Sequence, residues 1–100
     1  MNYEFLIPAE REFEEALDWY LERSERAGEG FRAAVNDAIQ RALKNPTSAG
    51  FLIGKRSRKM MLDPYRYGLI YFTHAGFLYI VAIAPNRKRP RYWAHRIKDA

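Results

Sequence analysis

The sequence predicts an α+β domain: an N-terminal strand, a helical hairpin, then a three-stranded antiparallel sheet. Three observations predict it. Two stretches, one opening at Phe13 and one at Phe31, repeat apolar residues at the three- and four-residue spacing of amphipathic helices. Residues 65–73 and 77–84 are short, aromatic and β-branched, and only His74-Ala75-Gly76 separates them. Two helices ahead of closely spaced strands place both helices on one face of a small, mainly antiparallel sheet.

Taken in order, residues 2–7 have the content of a first strand, with Tyr3, Phe5 and Ile7 on one face. Pro8 suits the first helical turn, where its missing N–H would be unpaired in any case, and Glu10 and Glu12 favour the positive end of the helix dipole. The first helix then buries Phe13, Ala16, Leu17, Tyr20 and Leu21. Its outer face carries Glu14, Asp18 and Glu22, which read as a solvated stripe. Gly28 and Gly30 predict the turn between helices. Phe31, Ala34, Val35, Ala38, Ile39 and Ala42 form the seam of the second helix, and Asn45-Pro46 stops it. Residues 51–62 read as one strand with a basic centre at the sheet edge, where lysine discourages wrong pairing. Asp63-Pro64 breaks it. Residues 77–84 are apolar without interruption, as in a strand buried on both faces, and Pro85 ends it.

One hundred residues suffice for a single domain, and a 48% hydrophobic content supports a folded core. With no cysteine, disulfides and thiolate metal sites are excluded. No apolar run is long enough for a bilayer, and no basic region precedes an apolar core at the N-terminus, so a cytoplasmic protein is expected. Gly50 and Gly54-Lys55 miss the spacing of a phosphate loop. Gly28 and Gly30 do not follow a strand, as a dinucleotide fingerprint requires. His74 and His95 alone cannot build a structural zinc site, and Ser24, Ser48 and Ser57 lack a nucleophile motif. Neither metal nor cofactor is expected.

Charge is the informative feature. Residues 1–50 hold six basic and ten acidic side chains, whereas residues 51–100 hold eleven basic and two acidic ones, for a net +5. Such asymmetry points to an anionic partner for the second half. The cations fall in two groups: Lys55, Arg56, Arg58 and Lys59, then Arg87, Lys88, Arg89, Arg91 and Arg96 with Tyr92 and Trp93 among them. Arginine and lysine neutralise phosphates, and tyrosine or tryptophan can stack on unpaired bases. The competing reading has Tyr92 and Trp93 folding back over the sheet while the arginines stay solvated.

Residues 16–31 (ALDWYLERSERAGEGF), 38–46, 64–72 (PYRYGLIYF) and 82–97 (AIAPNRKRPRYWAHRI) together resemble the RelE/ParE family of toxins from bacterial type II toxin–antitoxin modules. The likeness spans nearly the whole chain, and the order and spacing of its pieces carry it. It implies a strand, a helical hairpin and an antiparallel sheet, and a cognate antitoxin as partner, with an oligomer formed with that antitoxin. RelE-like members are ribosome-dependent messenger-RNA endonucleases, or mRNA interferases. By resemblance, Lys55 and Lys59 would supply second-strand cations, Arg87 the fourth-strand arginine, and Tyr92 or Trp93 the terminal aromatic. Gly68 falls where the nucleases carry arginine, while Arg66 lies two residues earlier on the same face. ParE-like members, associated with plasmid stabilization, inhibit DNA gyrase, and many have histidine where this chain has Pro85. The Arg-Pro-x-Tyr-Trp ending and Gly68 favour the ParE-like branch, with Lys55, Arg56, Arg58, Lys59, Arg87, Lys88, Arg89, Arg91, Tyr92, Trp93 and Arg96 as the surface for target or antitoxin. A ribosome-dependent nuclease and a non-toxic antitoxin-binding module are the alternatives.

Overall fold

Local periodicity places the two helices, but a serine joins them. The structure, a computed structural model, describes residues 1–98. Its elements are β1 (Asn2–Phe5), α1 (Ile7–Arg23), α2 (Glu25–Lys44), β2 (Phe51–Ile53), β3 (Ser57–Met61), β4 (Tyr67–His74), β5 (Phe77–Pro85) and a 3₁₀ turn (Ala94–Arg96). The first strand is shorter than expected because Pro8 lies in the first turn of α1. Ile7 therefore sits on the helix, 66% exposed, rather than beside Tyr3 and Phe5.

The predicted turn at Gly28 and Gly30 lies inside α2, and this corrects the sequence reading. Ser24 makes the turn alone. Its extended backbone ends α1 with an N–H donated to the Tyr20 carbonyl at 3.1 Å, and its hydroxyl accepts from the Ala27 N–H at 2.9 Å. One residue thus closes one helix and caps the next. Gly28 serves packing instead: a Cβ there would lie 2.1 Å from Leu21 Cδ2. Ser24→Ala is expected to cost about 1 kcal/mol. Thermal denaturation should show a melting point about 4–8 °C lower; an unchanged value would mean the cap contributes nothing.

Five strands among the described residues form one mixed sheet, ordered β1-β5-β4-β3-β2. This replaces the expected three-stranded antiparallel sheet, for two reasons. β1 joins the sheet parallel to β5, with Asn2 opposite Phe77. The stretch predicted as one strand reverses at residues 54–56, where Gly54 takes φ 78°, and so becomes β2 and β3. β2 holds the edge, while β3 is paired on both sides. The β4–β5 turn is as short as expected, and Ala75 (φ 50°) and Gly76 (φ 82°) supply the left-handed pair that tight hairpins favour.

β5 lies between β1 and β4 and is buried on both faces, as its apolar run predicts. Its register against β4 slips once. Ile70 opposes Ala82 but Tyr71 opposes Ile80, which leaves Val81 as an extra residue. The bulge changes which residues face which side. Leu78, Ile80 and Ile83 pack toward the helices, whereas Val81, Ala82 and Ala84 pack on the opposite face. The helix-side core centres on fully buried Phe31, whose ring lies 5.0 Å from Tyr20 and 5.4 Å from both Tyr65 and Tyr67. On the other face, Trp93 packs with Ile70, Val81, Ala82 and Ala84. No helix among the described residues is long and apolar enough to cross a membrane.

Candidate functional site

The sheet divides the predicted cations between its two ends. Because β3 runs antiparallel to β4, with Met61 opposite Gly68, the 54–56 turn lies toward the His74 end of β4. Arg66 and Arg87 flank the Tyr67–Pro85 pair at the other end. Seven residue steps along β4 separate those ends by about 23 Å.

In the β2–β3 hairpin, Lys55 is exposed in the turn. The Arg56 guanidinium lies 4.5 Å over the Phe72 ring. Arg58 Nη1 donates to the Gly50 carbonyl at 2.9 Å, which ties the hairpin to the loop before it. Lys59 stretches across Gly68: a Cβ at that glycine would stand 2.4 Å from Lys59 Cε. The position that corresponds by resemblance to a nuclease arginine is therefore filled by the lysine's stem.

The terminal segment contains two different kinds of residue. Arg87, Lys88 and Arg89 are exposed in the turn after β5, as is Arg91, whose guanidinium lies 6.0 Å from the Trp93 ring. Trp93 itself is only 2% exposed and belongs to the core, so in this arrangement it offers no face to a partner. The Tyr92 hydroxyl donates to Glu12 Oε2 at 2.6 Å. Arg96 grips the same carboxylate with Nη1 at 2.8 Å and Nη2 at 2.9 Å, and Nη1 also donates to the Val81 carbonyl. Arg96 is thus a structural cation, and the reading in which the aromatic tail folds back describes Tyr92 and Trp93.

This clasp forms where β1 stops. Leu6 donates its N–H to the Ile80 carbonyl, and beyond it, among the described residues, the edge of β5 has no strand beside it. Arg96 meets the Val81 carbonyl there, and Glu12 Oε1 accepts from the Ile83 N–H at 3.1 Å. Two side chains continue the pairing that the backbone gives up. Burial by itself would raise the Glu12 carboxyl, but hydrogen bonds from Arg96 and Tyr92, the Arg96 charge and the Ile83 N–H together outweigh it and hold the group below its ordinary 4.5. Burial first, then the hydrogen bond to Glu12, pushes the Tyr92 phenol well above 10.0.

Three of the remaining cations line an open groove of about 940 Å³ between α1 and the adjoining end of the sheet, whereas Arg89 and Arg91 do not. Arg66, Arg87 and Lys88 form one wall, and Glu15 and Trp19 of α1 stand on the other. Pro64, Tyr67 and Pro85 line it between them. Arg66 and Arg87 form no ion pair with any described residue, and the Lys88 ammonium sits 4.7 Å from the Tyr92 ring.

No family model matches this chain. No curated protein matches it either. The groove offers cations and exposed aromatic surface for binding. Among the described residues there is no group of three or more histidine or acidic side chains placed to hold a metal ion.

Sequence reasoning missed Trp19, Glu15 and Glu12. Trp19 carried a legible signal, since it is an aromatic residue outside the apolar positions 13, 16, 17, 20 and 21 of its helix. Glu12 carried none, because its partners lie up to 84 residues away.

Proposed function

We propose that this chain is a toxin of a type II toxin–antitoxin module, nearer ParE than RelE, which acts by binding DNA gyrase and is neutralised by a cognate antitoxin. The observation that carries the reading is the convergence of Arg66, Arg87 and Lys88 on one open groove, while Tyr92, Trp93 and Arg96 are built into the fold. The sequence resemblance supports it through the order of strand, helical hairpin and sheet. The binding reading is favoured over nuclease chemistry by three placements. Lys55 lies at the far end of the sheet, Lys59 fills the space at Gly68, and the Tyr92 hydroxyl is committed to Glu12. A general base needs a lone pair within reach of the proton it removes; the Tyr92 phenol instead donates, and its raised pKa opposes loss of that proton.

Expression without the neighbouring gene is expected to arrest growth, with lost supercoiling or stabilised gyrase–DNA breaks in a purified assay. The Arg66→Glu/Arg87→Glu variant should weaken both growth arrest and antitoxin binding at least tenfold. Charge reversal opposes an anionic partner directly, and close interfacial charge pairs carry about 1.5 kcal/mol or more of coupling. Cleaved transcripts in a translating extract would move the assignment to the nuclease branch. Antitoxin binding without any growth arrest would leave a non-toxic module.

A further inference from the structure

Among the described residues the sheet ends on two strands with a single neighbour each, β1 and β2. An edge strand carries unpaired N–H and C=O groups, and proteins commonly shield it with charge. β2 is shielded, since it is three residues long and adjoins Lys55, Arg56, Arg58 and Lys59. β1 is not. It reads Asn-Tyr-Glu-Phe, without lysine, arginine or proline, and all of it but Phe5 is exposed. Its pairing with β5 fixes which way its backbone groups point. The Leu6 N–H reaches the Ile80 carbonyl, and the two-residue period of a strand turns Glu4 and Asn2 the same way. The N–H and C=O of Tyr3 and Phe5 therefore point out from the sheet edge. The Tyr3 ring ends a row that runs inward through Phe5, Phe13 and Phe31, with successive centroids 6.3, 5.8 and 6.0 Å apart. Exposed Met1 and Ile7 stand at either end of the strand.

From this we infer that β1 pairs with β1 of a second copy of this chain, antiparallel about a two-fold axis through Tyr3. Only residues whose backbone groups point outward can bond across the edge, so odd-numbered residues must meet. With Tyr3 opposite Tyr3, Phe5 of each copy bonds Met1 of the other. Asn2 then stands opposite the second copy's Glu4, where its amide donates to the carboxylate. The neighbouring register, Tyr3 opposite Phe5, sets Glu4 against Glu4, and like charges directly opposed are destabilising. Charge thus selects the axis at Tyr3. The aromatic rows of the two copies meet there, and Ile7 of each copy lies beside Met1 of the other. Pairing two β2 edges would instead bring their cations together, and a β1–β2 contact would be head-to-tail, without a two-fold axis to close it. The contact is confined to residues 1–7, fewer than the roughly 20–30 a side of a standard interface, so it forms a weak pair. No residue of β1 lines the groove described above, so pairing leaves that groove open and does not depend on the toxin reading.

Sedimentation velocity of the full chain from about 1 μM to 1 mM, the span from moderate to weak affinity, should show a monomer giving way to a dimer. Tyr3→Lys sets lysine against lysine at the axis and should weaken the dimer about tenfold or more. Tyr3→Pro should weaken it as well and still fold, because the N–H it removes points away from β5 and edge strands tolerate proline. Leu52→Lys, on the other edge, should leave the dimer unchanged. Circular dichroism confirms that each variant is folded. The chain has no cysteine, so an introduced one reports the register. Under mild oxidation Tyr3→Cys should form a disulfide-linked dimer faster than Glu4→Cys does. A monomer throughout that concentration range would overturn the inference, and so would a dimer that folded Tyr3→Lys leaves intact. Faster linkage through Glu4→Cys would overturn the axis at Tyr3. Loss of the dimer in folded Leu52→Lys would overturn the assignment in favour of β2.

Discussion

Glu12→Ala is expected to destabilise the protein by about 3 kcal/mol, because it removes one member of a largely buried ion pair and strands the other. The Glu12 and Arg96 side chains are 18% and 11% exposed. The carboxylate accepts from Ile83 N–H, the Tyr92 hydroxyl and both Arg96 Nη atoms. Its loss therefore leaves four donors short of an acceptor and frees the terminal segment from α1. A loss of that size corresponds to a melting point lower by about 12–24 °C in a domain of this length. The double variant Glu12→Ala/Arg96→Met should recover part of the loss, since the unpaired buried guanidinium is the costly product. The clasp also sets an acid limit. The folded-state pKa of Glu12 lies below its ordinary 4.5, so in the window between the two values the unfolded chain binds more protons. The stabilisation is complete above the ordinary value and is lost as pH falls through the lowered one. Urea titrations from pH 7 to pH 3 should show a steeper loss of stability below about pH 4.5 for the natural chain than for Glu12→Gln. Parallel curves would mean that the carboxylate does not couple to folding.

Trp93→Ala is expected to cost about 3–5 kcal/mol, the usual range when a buried aromatic side chain is cut back in a core. Trp93 is the largest of the fully buried side chains. Its ring covers Ile70, Val81, Ala82 and Ala84, the face of the sheet that the helices do not reach. Removing it would open a cavity over Ala82 and Ala84, whose methyl groups cannot swing in, and over the β-branched Ile70 and Val81, which are held in the sheet. Trp93→Phe should retain more than half of the lost stability. Denaturant unfolding measures the effect, and fluorescence identifies the residue: buried Trp93 should emit to the blue of half-exposed Trp19. A fully stable Trp93→Ala that has lost partner binding would mean the indole serves an interface and not the core. Charge reversals at Arg87 and Lys88 should behave in the opposite way, since both side chains are exposed. Substitutions at such positions stay within about 0.5 kcal/mol in stability, so their effects should be confined to binding.

The sequence by itself determined those features that depend on neighbours within a few residues. The apolar positions of α1 and α2 repeat along the chain, and they are the positions that pack. The unbroken apolar run of β5 required burial on both faces, and His74-Ala75-Gly76 left room only for a tight turn. Gly54 was a breaker within the basic strand and could have split it, because a glycine between apolar and cationic segments suits a reversal. Gly28 and Gly30 misled, since glycine marks close packing inside a helix as well as a turn.

Only the tertiary structure decided which cations meet. Lys55 and Arg87 each carry one positive charge, yet antiparallel pairing sends them to opposite ends of the sheet. Arg96 and Arg87 belong to one basic run, yet only Arg96 lies where β1 has stopped and the edge of β5 needs a partner. The attraction between charges depends on distance in space, and the 84 residues between Glu12 and Arg96 hold no local trace of the 2.8 Å that separates them once folded.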